Sequence, residues 1–157
     1  EICALKWDCI DLDKHCIKVK KTMQRIYNKN DKKSIVKEDI PKTQKSVRTI
    51  PISTKLYNIL KPLKKNFSKN CYFLTGSAYN YIEPRNYQYM FKKCLKNCKI
   101  KDFHFHQLRH TFATDCINVG MDTKSLSEIL GHANVKITLD KYVHSSFKSK
   151  KKYLEKL

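Results

Sequence analysis

The spacing of apolar residues changes character near Ser53. Ahead of it, apolar and polar residues alternate over short stretches; beyond it, apolar residues recur every three or four positions, the period of a helix with one buried face. Cys9-Ile10-Asp11-Leu12 and Cys16-Ile17-Lys18-Val19-Lys20 are short runs, and the second alternates apolar and basic side chains as a half-buried strand does. Asp13-Lys14 suits the turn between them. Residues Asn28 to Asp39 are polar and charged and read as a loop. Ser46 to Ile52 predicts a third strand, in which Pro51 fits only at the edge or the end. The expected product is a three-stranded antiparallel sheet, with Lys42 at the turn leading into its last strand. Glu1 to Trp7 stands apart: it has helical character, with Ile2 and Leu5 on one face, and no N-cap residue precedes it, so it reads as a helix entered part-way.

After Ser53, Leu56, Ile59, Leu60 and Leu63 follow a helical period in spite of Pro62. Cys71-Tyr72-Phe73-Leu74 is a short buried run before a turn at Thr75-Gly76-Ser77. A second helix is expected from Arg85 to Asn97, with Tyr87, Met90, Phe91, Cys94 and Leu95 on its apolar face and Lys92, Lys93 and Lys96 off it. That aromatic stripe reads as core rather than as a platform for stacked bases. Phe105, Leu108, Phe112 and Cys116 fall at i, i+3, i+7 and i+11 and predict one buried stripe of a third helix. Asp122 is placed to cap a fourth helix running to Leu130, with Gly131 as its natural C-cap. Tyr142 lies near the end of a short fifth helix, after Ile137-Thr138-Leu139-Asp140. No internal repeat is visible.

These elements suit one domain of 157 residues. A domain of that size buries about 70% of the surface its unfolded chain exposes, and 41% apolar residues can fill its core. Charge narrows the function: 33 Lys and Arg against 14 Asp and Glu leave a net +19, which calls for a polyanionic partner. No apolar run reaches the ~18 residues of a membrane span and no signal peptide is visible, so nucleic acid is the expected partner and a membrane is not. Seven cysteines are scattered without C-x-x-C pairs, many at apolar positions; they read as buried thiols of a reducing cytoplasm, not a disulfide framework. Cys94 and Cys98 stand four apart, but no second ligand pair accompanies them, which argues against a metal there.

The chemistry concentrates between His104 and His144. Three polar clusters lie in this window: His106-Gln107-Leu108-Arg109, Leu130-Gly131-His132 and Tyr142-Val143-His144. His106 and Arg109, three apart, share one side of the third helix. Arginine offers a fixed fork of donors and histidine carries a proton in or out, so the pair suits a phosphate. His132 follows a helix cap, and its ring can project from the helix end. His110, four residues after His106, could instead form a metal pair with it, with His132 or His144 as loose third candidates.

The order of these clusters resembles the tyrosine recombinase (phage integrase) family, which carries H-x-L-R-H-T-F-A-T, then L-G-H, then a nucleophilic tyrosine about ten residues on. The matching residues are His106, Arg109, His132 and Tyr142, with Tyr142 ten residues after His132. The resemblance extends to Lys42-Thr43, within the order Lys42-Thr43-Gln44-Lys45-Ser46-Val47-Arg48-Thr49-Ile50-Pro51, and to Glu1-Ile2-Cys3-Ala4-Leu5-Lys6-Trp7. It implies the catalytic fold of DNA breaking-rejoining enzymes, an α+β domain that is mainly helical with a small three-stranded antiparallel sheet at one edge. It further implies a site-specific recombinase or integrase of a bacterial mobile element, acting in the cytoplasm on double-stranded DNA, as a homo-tetramer on DNA in the full-length protein.

By the same resemblance Tyr142 is the nucleophile, forming a 3′-phosphotyrosyl bond; Arg109 and His132 neutralise charge at phosphorus; His106 takes the phenol proton or hydrogen-bonds the phosphate. Lys42, with Lys45 as its rival, protonates the departing 5′-oxygen. Lys42, Thr43, Lys45, Arg48 and Arg109 would touch DNA, and no metal or ATP is required. A further phosphate-binding arginine is expected three residues ahead of Glu1, along with an upstream DNA-binding domain. The basic tail from Phe147 to Leu157, with Phe147, Tyr153, Leu154 and Leu157 as anchors, would pack on a neighbouring protomer or else stay solvated. Two other classes compete: a DNA-binding regulator of the same fold that does not cut, and a metal-dependent nuclease. The second needs a carboxylate cluster, and the acidic residues are scattered.

Overall fold

The computed structural model describes residues 1–28, 33–40, 46–101, 103–142 and Glu155. The chain divides into two compact units, Glu1–Phe103 and His104–Leu157. In the first, β1 (Ile10–Asp11), β2 (Cys16–Val19) and β5 (Arg48–Pro51) form an antiparallel sheet in the order β1-β2-β5. This is the expected three-stranded sheet, with Pro51 at the last position of its strand, opposite Cys16.

The loop expected from Asn28 to Asp39 is corrected. β3 (Thr22–Asn28) and β4 (Lys33–Asp39) pair as a second antiparallel ladder, from Thr22 opposite Asp39 to Asn28 opposite Lys33. Only one face of this ribbon is covered: Met23 is buried and Val36 packs beside it on Cys3, Ala4 and Tyr72. On the other face Ile26 and Ile35 stand opposite each other and exposed. A strand with one wet face tolerates the polar composition that reads as loop. Glu38 fastens the ribbon down. Its carboxylate accepts from the Tyr72 hydroxyl at 3.0 Å and pairs with Lys21 at 2.8 Å.

The first residues differ from expectation as well. Two short 3₁₀ turns, Ile2–Ala4 and Trp7–Cys9, replace a helix. The backbone between them is drawn out to pair with residues 71–73: the Phe73 amide donates to Leu5 and the Trp7 amide to Cys71, at 2.8 and 3.0 Å. Cys3, Ala4 and Trp7 are therefore buried, and Ile2 is exposed. Trp7 centres the larger core with Ile10, Ile52, Leu60 and Cys71, its ring 5.4 Å from Phe67 and 5.1 Å from Phe73.

Helix α1 (Thr54–Lys64) starts where expected, with the Ser53 hydroxyl accepting from the Leu56 amide at 3.3 Å. Its rotation does not follow the predicted stripe: Leu60 alone of the four is buried, while Leu56, Ile59 and Leu63 are exposed. Tertiary contacts choose the face. Tyr57 stacks on His15 at 4.6 Å, and Lys64 donates to the Ile10 carbonyl, so the row Tyr57, Leu60, Lys64 turns inward. Helix α2 (Pro84–Asn97) behaves similarly, half-burying Tyr87, Phe91 and Leu95 but exposing Met90 and Cys94.

The second unit holds α3 (Phe105–Asn118), α4 (Thr123–Leu130) and α5 (Val135–Tyr142). Gln107 reaches back to accept from the His104 amide and fixes the start of α3. The stripe expected on α3 is corrected: Cys116 is buried, Phe105 half-buried, and Leu108 and Phe112 exposed. The inward row is Arg109, Ala113 and Cys116, because Ala113, 0% exposed, lets the helix approach its neighbours closely and Arg109 has a partner at the end of α4. Leu126, Leu130 and Tyr142 complete this core. All seven cysteines are free thiols; Cys3, Cys16, Cys71 and Cys116 are buried, and Cys94 and Cys98 exposed.

Two predictions test this architecture. Gly76 has φ +67, and a Cβ there would run into the Phe67 ring, itself seated on Trp7. Gly76→Ala should lower the free energy of unfolding by about 1–3 kcal/mol in urea titration; an unchanged midpoint would mean that the Phe67 ring yields freely. The second concerns Glu38. Burial pushes its carboxyl up, but the bonds from Lys21 and Tyr72 outweigh burial and hold it below the ordinary glutamate value. A lowered folded-state value stabilises above the unfolded value and is lost as pH falls through the folded one. The stability gap between wild type and Glu38→Gln should be widest near neutrality and close in acid, by thermal unfolding against pH.

Candidate active site

The site is built at the ends of the three helices of the second unit. Asp122 caps α4 as expected, its carboxylate accepting from the Ser125 amide at 2.9 Å. The Ser125 hydroxyl, and then this amide bond, hold the Asp122 carboxyl below its ordinary value. α4 closes on Gly131, which takes the left-handed conformation at φ 69. The Gly131 amide bonds the Glu128 carbonyl at 3.1 Å and the His132 amide the Ser127 carbonyl at 3.0 Å, the paired bonds of a Schellman ending. His132 thereby leaves the helix in one fixed direction.

Its ring is fixed in turn. Nδ1 lies 2.8 Å from the hydroxyl of Thr138, which is completely buried on α5. That contact presents Nε2 at the far edge of the imidazole. Arg109 donates from Nη2 to the carbonyl of Leu130, the residue just before the Gly131 turn. One turn of chain thus anchors both the arginine and the histidine. Tyr142 occupies the last position of α5, 8% exposed, packed among Ala113, Cys116, Leu126 and Leu130. The His132 ring runs parallel to it, 5° between planes and 6.4 Å between centres.

On the other side stands His110. Its ring is 5.4 Å from Tyr142 and 4.8 Å from His106, edge-to-face to the latter at 86°. His106 itself is exposed on the first turn of α3. Partial desolvation, then the nearby His110, Arg109 and Lys141 charges, draw its pKa below the ordinary histidine value. The imidazole is therefore biased to the neutral form, which can accept a proton.

The structure thus brings together Arg109, His132 and Tyr142, with His106 reaching Tyr142 through His110. Thr138 and His110 have places here that sequence reasoning missed. Thr138 carried no pattern beyond its helix, and His110 was weighed only as a metal ligand. Among the described residues no group of three or more His, Cys, Asp or Glu is placed to hold a metal ion. Lys42, Thr43, Lys45 and His144 lie outside the described residues. Arg48 is paired within the chain: Nη1 and Nη2 each meet a Glu1 carboxylate oxygen at 2.8 Å, and the side chain is 10% exposed. This two-pronged pair ties β5 to the first residue of the chain.

Comparison with known proteins identifies the family. The model of the phage integrase family matches residues 1–149. A tyrosine recombinase XerC-like protein of Caldanaerobacter subterraneus subsp. tengcongensis is 32% identical over an alignment that covers all of this chain and 44% of that protein. The transposase of transposon Tn916 from Enterococcus faecalis is 32% identical over 71% of this chain and 31% of its own. The chain thus spans less than half the length of these relatives. The integrase of transposon Tn1549, solved in complex with circular intermediate DNA, superposes with a TM-score of 0.75 at 28% identity, covering 100% of this chain and 53% of that one. XerA recombinase shares the fold at a TM-score of 0.63 and 22% identity. With a family model spanning nearly its whole length and this arrangement of arginine, histidine and tyrosine, the chain belongs to the phage integrase family.

Proposed function

We propose that this chain carries the strand-breaking centre of a site-specific DNA recombinase from a bacterial mobile element. The observation that carries the reading is the convergence of Arg109, His132 and Tyr142 on one helix-end cluster, with the tyrosine ring held in the core and the two donors pinned by Leu130 and Thr138. A phosphodiester resists attack because its oxygens repel nucleophiles and its alkoxide leaves poorly. In the proposed step the Tyr142 oxygen bonds to phosphorus, the bond to the 5′-oxygen breaks, and that oxygen leaves with a proton. His106 takes the phenol proton, Arg109 and His132 donate to the non-bridging oxygens, and Lys42, with Lys45 as its rival, is the acid. Rejoining reverses these steps, with no metal or ATP. Double-stranded DNA is the partner, held by Lys42, Thr43, Lys45, Arg48 and Arg109. The parent protein works as a tetramer on DNA in the bacterial cytoplasm, with the further arginine and upstream DNA-binding domain that the family resemblance implies.

The competing regulator of the same fold would bind DNA and leave no adduct, which one experiment decides. In the full-length parent, on duplex DNA carrying the ends of its own element, Tyr142→Phe should keep affinity and lose the covalent adduct on denaturing gels. An adduct that persists moves the nucleophile elsewhere.

The acid is tested separately. General acid catalysis is typically worth about 10²–10⁴ in rate. A sulfur in place of the bridging 5′-oxygen leaves as a thiolate and needs no proton. Lys42→Ala should be slow on ordinary DNA and near normal on 5′-bridging phosphorothiolate DNA, while Arg109→Ala stays slow on both. Rescue of Lys45→Ala alone would assign the acid to Lys45; rescue of neither removes it from this stretch.

A further inference from the structure

The proposed chemistry leaves His110 without a task. It stands one helical turn after His106 on α3, half-buried, and its ring meets two others at once: His106 edge-to-face at 4.8 Å and Tyr142 at 5.4 Å with planes tilted by 55°. Three residues on, Ala113 is fully buried, so α3 lies close to α5 at this level.

We infer that His110 is a positioning residue of this site: its imidazole seats the ring of the nucleophile and fixes the presentation of His106 to it. The inference rests on the reading of Tyr142 as that nucleophile. A phenol attacks in line only when its oxygen is held within about 0.5 Å of the productive place. The Tyr142 ring sits against the α3–α4 core, and His110 flanks it from α3 while His132 runs parallel at 6.4 Å. His106 is exposed, and its edge-to-face contact with His110 limits the orientations of its ring.

Charge acts through the same contact. Two imidazoles 4.8 Å apart are costly to protonate together. The other groups facing the pair are Arg109 on α3 and Lys141 and Tyr142 on α5, with His132 against the Tyr142 ring. Desolvation opposes protonation of His106 first, and the charges of His110, Arg109 and Lys141 add to it, so His110 helps keep its neighbour available as a base. Removing an ionisable ring at 110 relaxes that opposition, and His106 then protonates at higher pH.

The test begins without DNA. Histidine ring signals of the 157-residue chain are titrated by NMR in wild type, His110→Phe and His110→Asn. His110→Phe keeps a ring against Tyr142 but no charge: the His106 midpoint should rise, with Tyr142 ring signals little moved. His110→Asn loses ring and charge, so the midpoint should rise and the Tyr142 signals move too. In the adduct assay His110→Asn should lose about 10–100-fold in rate, the scale of a misplaced reacting group. His110→Phe should lose less, with the acidic limb of its pH profile displaced upward. If Phe does not fold, the Asn variant carries the same readouts. An unmoved His106 midpoint in the folded variants, with wild-type adduct rates, overturns the role of His110 while a lost adduct in Tyr142→Phe still upholds the nucleophile. An adduct that survives Tyr142→Phe overturns the nucleophile and the seat with it.

Discussion

The left-handed turn at Gly131 is the constraint on which the second unit depends. Three consecutive residues there have three separate tasks. Leu130 buries its side chain in the core and gives its carbonyl to Arg109. Gly131 takes φ 69, which costs an L residue about 1–2 kcal/mol and glycine almost nothing. His132 then emerges with its amide tied back to Ser127 and its ring against Thr138. The next helix begins at once, because Asn134 accepts from the Lys136 amide at 3.0 Å. α5 is thereby aimed so that Thr138 and Tyr142, four residues apart, both face inward.

Pinning of this kind suits the chemistry proposed for it. Arginine and tyrosine are long side chains whose immobilisation costs entropy. Here that cost is met in folding: one Arg109 donor is occupied by Leu130, and the Tyr142 ring is packed before any substrate arrives. A donor oriented in advance stabilises developing charge without reorganising when the reaction occurs. The buried Thr138 hydroxyl and the His132 ring satisfy one another, so this polar contact also meets the hydrogen-bonding requirement of a fully buried group.

What was legible in the sequence was what is locally determined. Ser53, Asp122 and Gly131 act on residues two to four positions away, so the starts of α1 and α4 and the end of α4 read correctly. Periodicity located the helices but not their rotation. Leu56, Ile59 and Leu63 on α1, and Leu108 and Phe112 on α3, fit a stripe equally well, yet the inward face was chosen by distant partners, His15 and Ile10 for α1 and the Leu130 carbonyl for α3. Residues 71–73 draw Glu1 to Trp7 out of a helix across more than sixty positions. The β3–β4 ribbon was hidden because only Met23 and Val36 mark its covered face. The pairing of Arg48 with Glu1, across 47 positions, left no local signal in the sequence.

Net charge and site geometry divide the labour of recognition. A net charge of +19 suits a polyanion, and in the function proposed here each phosphate contact with duplex DNA would contribute about −0.9 to the slope of log K against log salt. That attraction carries no preference for one phosphate over another. The proposed reaction requires a phosphate that meets the fork of Arg109 and the far edge of His132 at the same moment as the oxygen of Tyr142. The first two are fixed to one another through residues 130 to 138, and the third through the core they share. A displaced lysine on the surface weakens binding evenly. A displaced Leu130 carbonyl or Thr138 hydroxyl leaves the attraction intact and removes the one geometry in which it leads to chemistry. On the proposed function, the selectivity of the centre for a scissile phosphate therefore resides in the Gly131 turn and α5, and the cations elsewhere bring DNA to it.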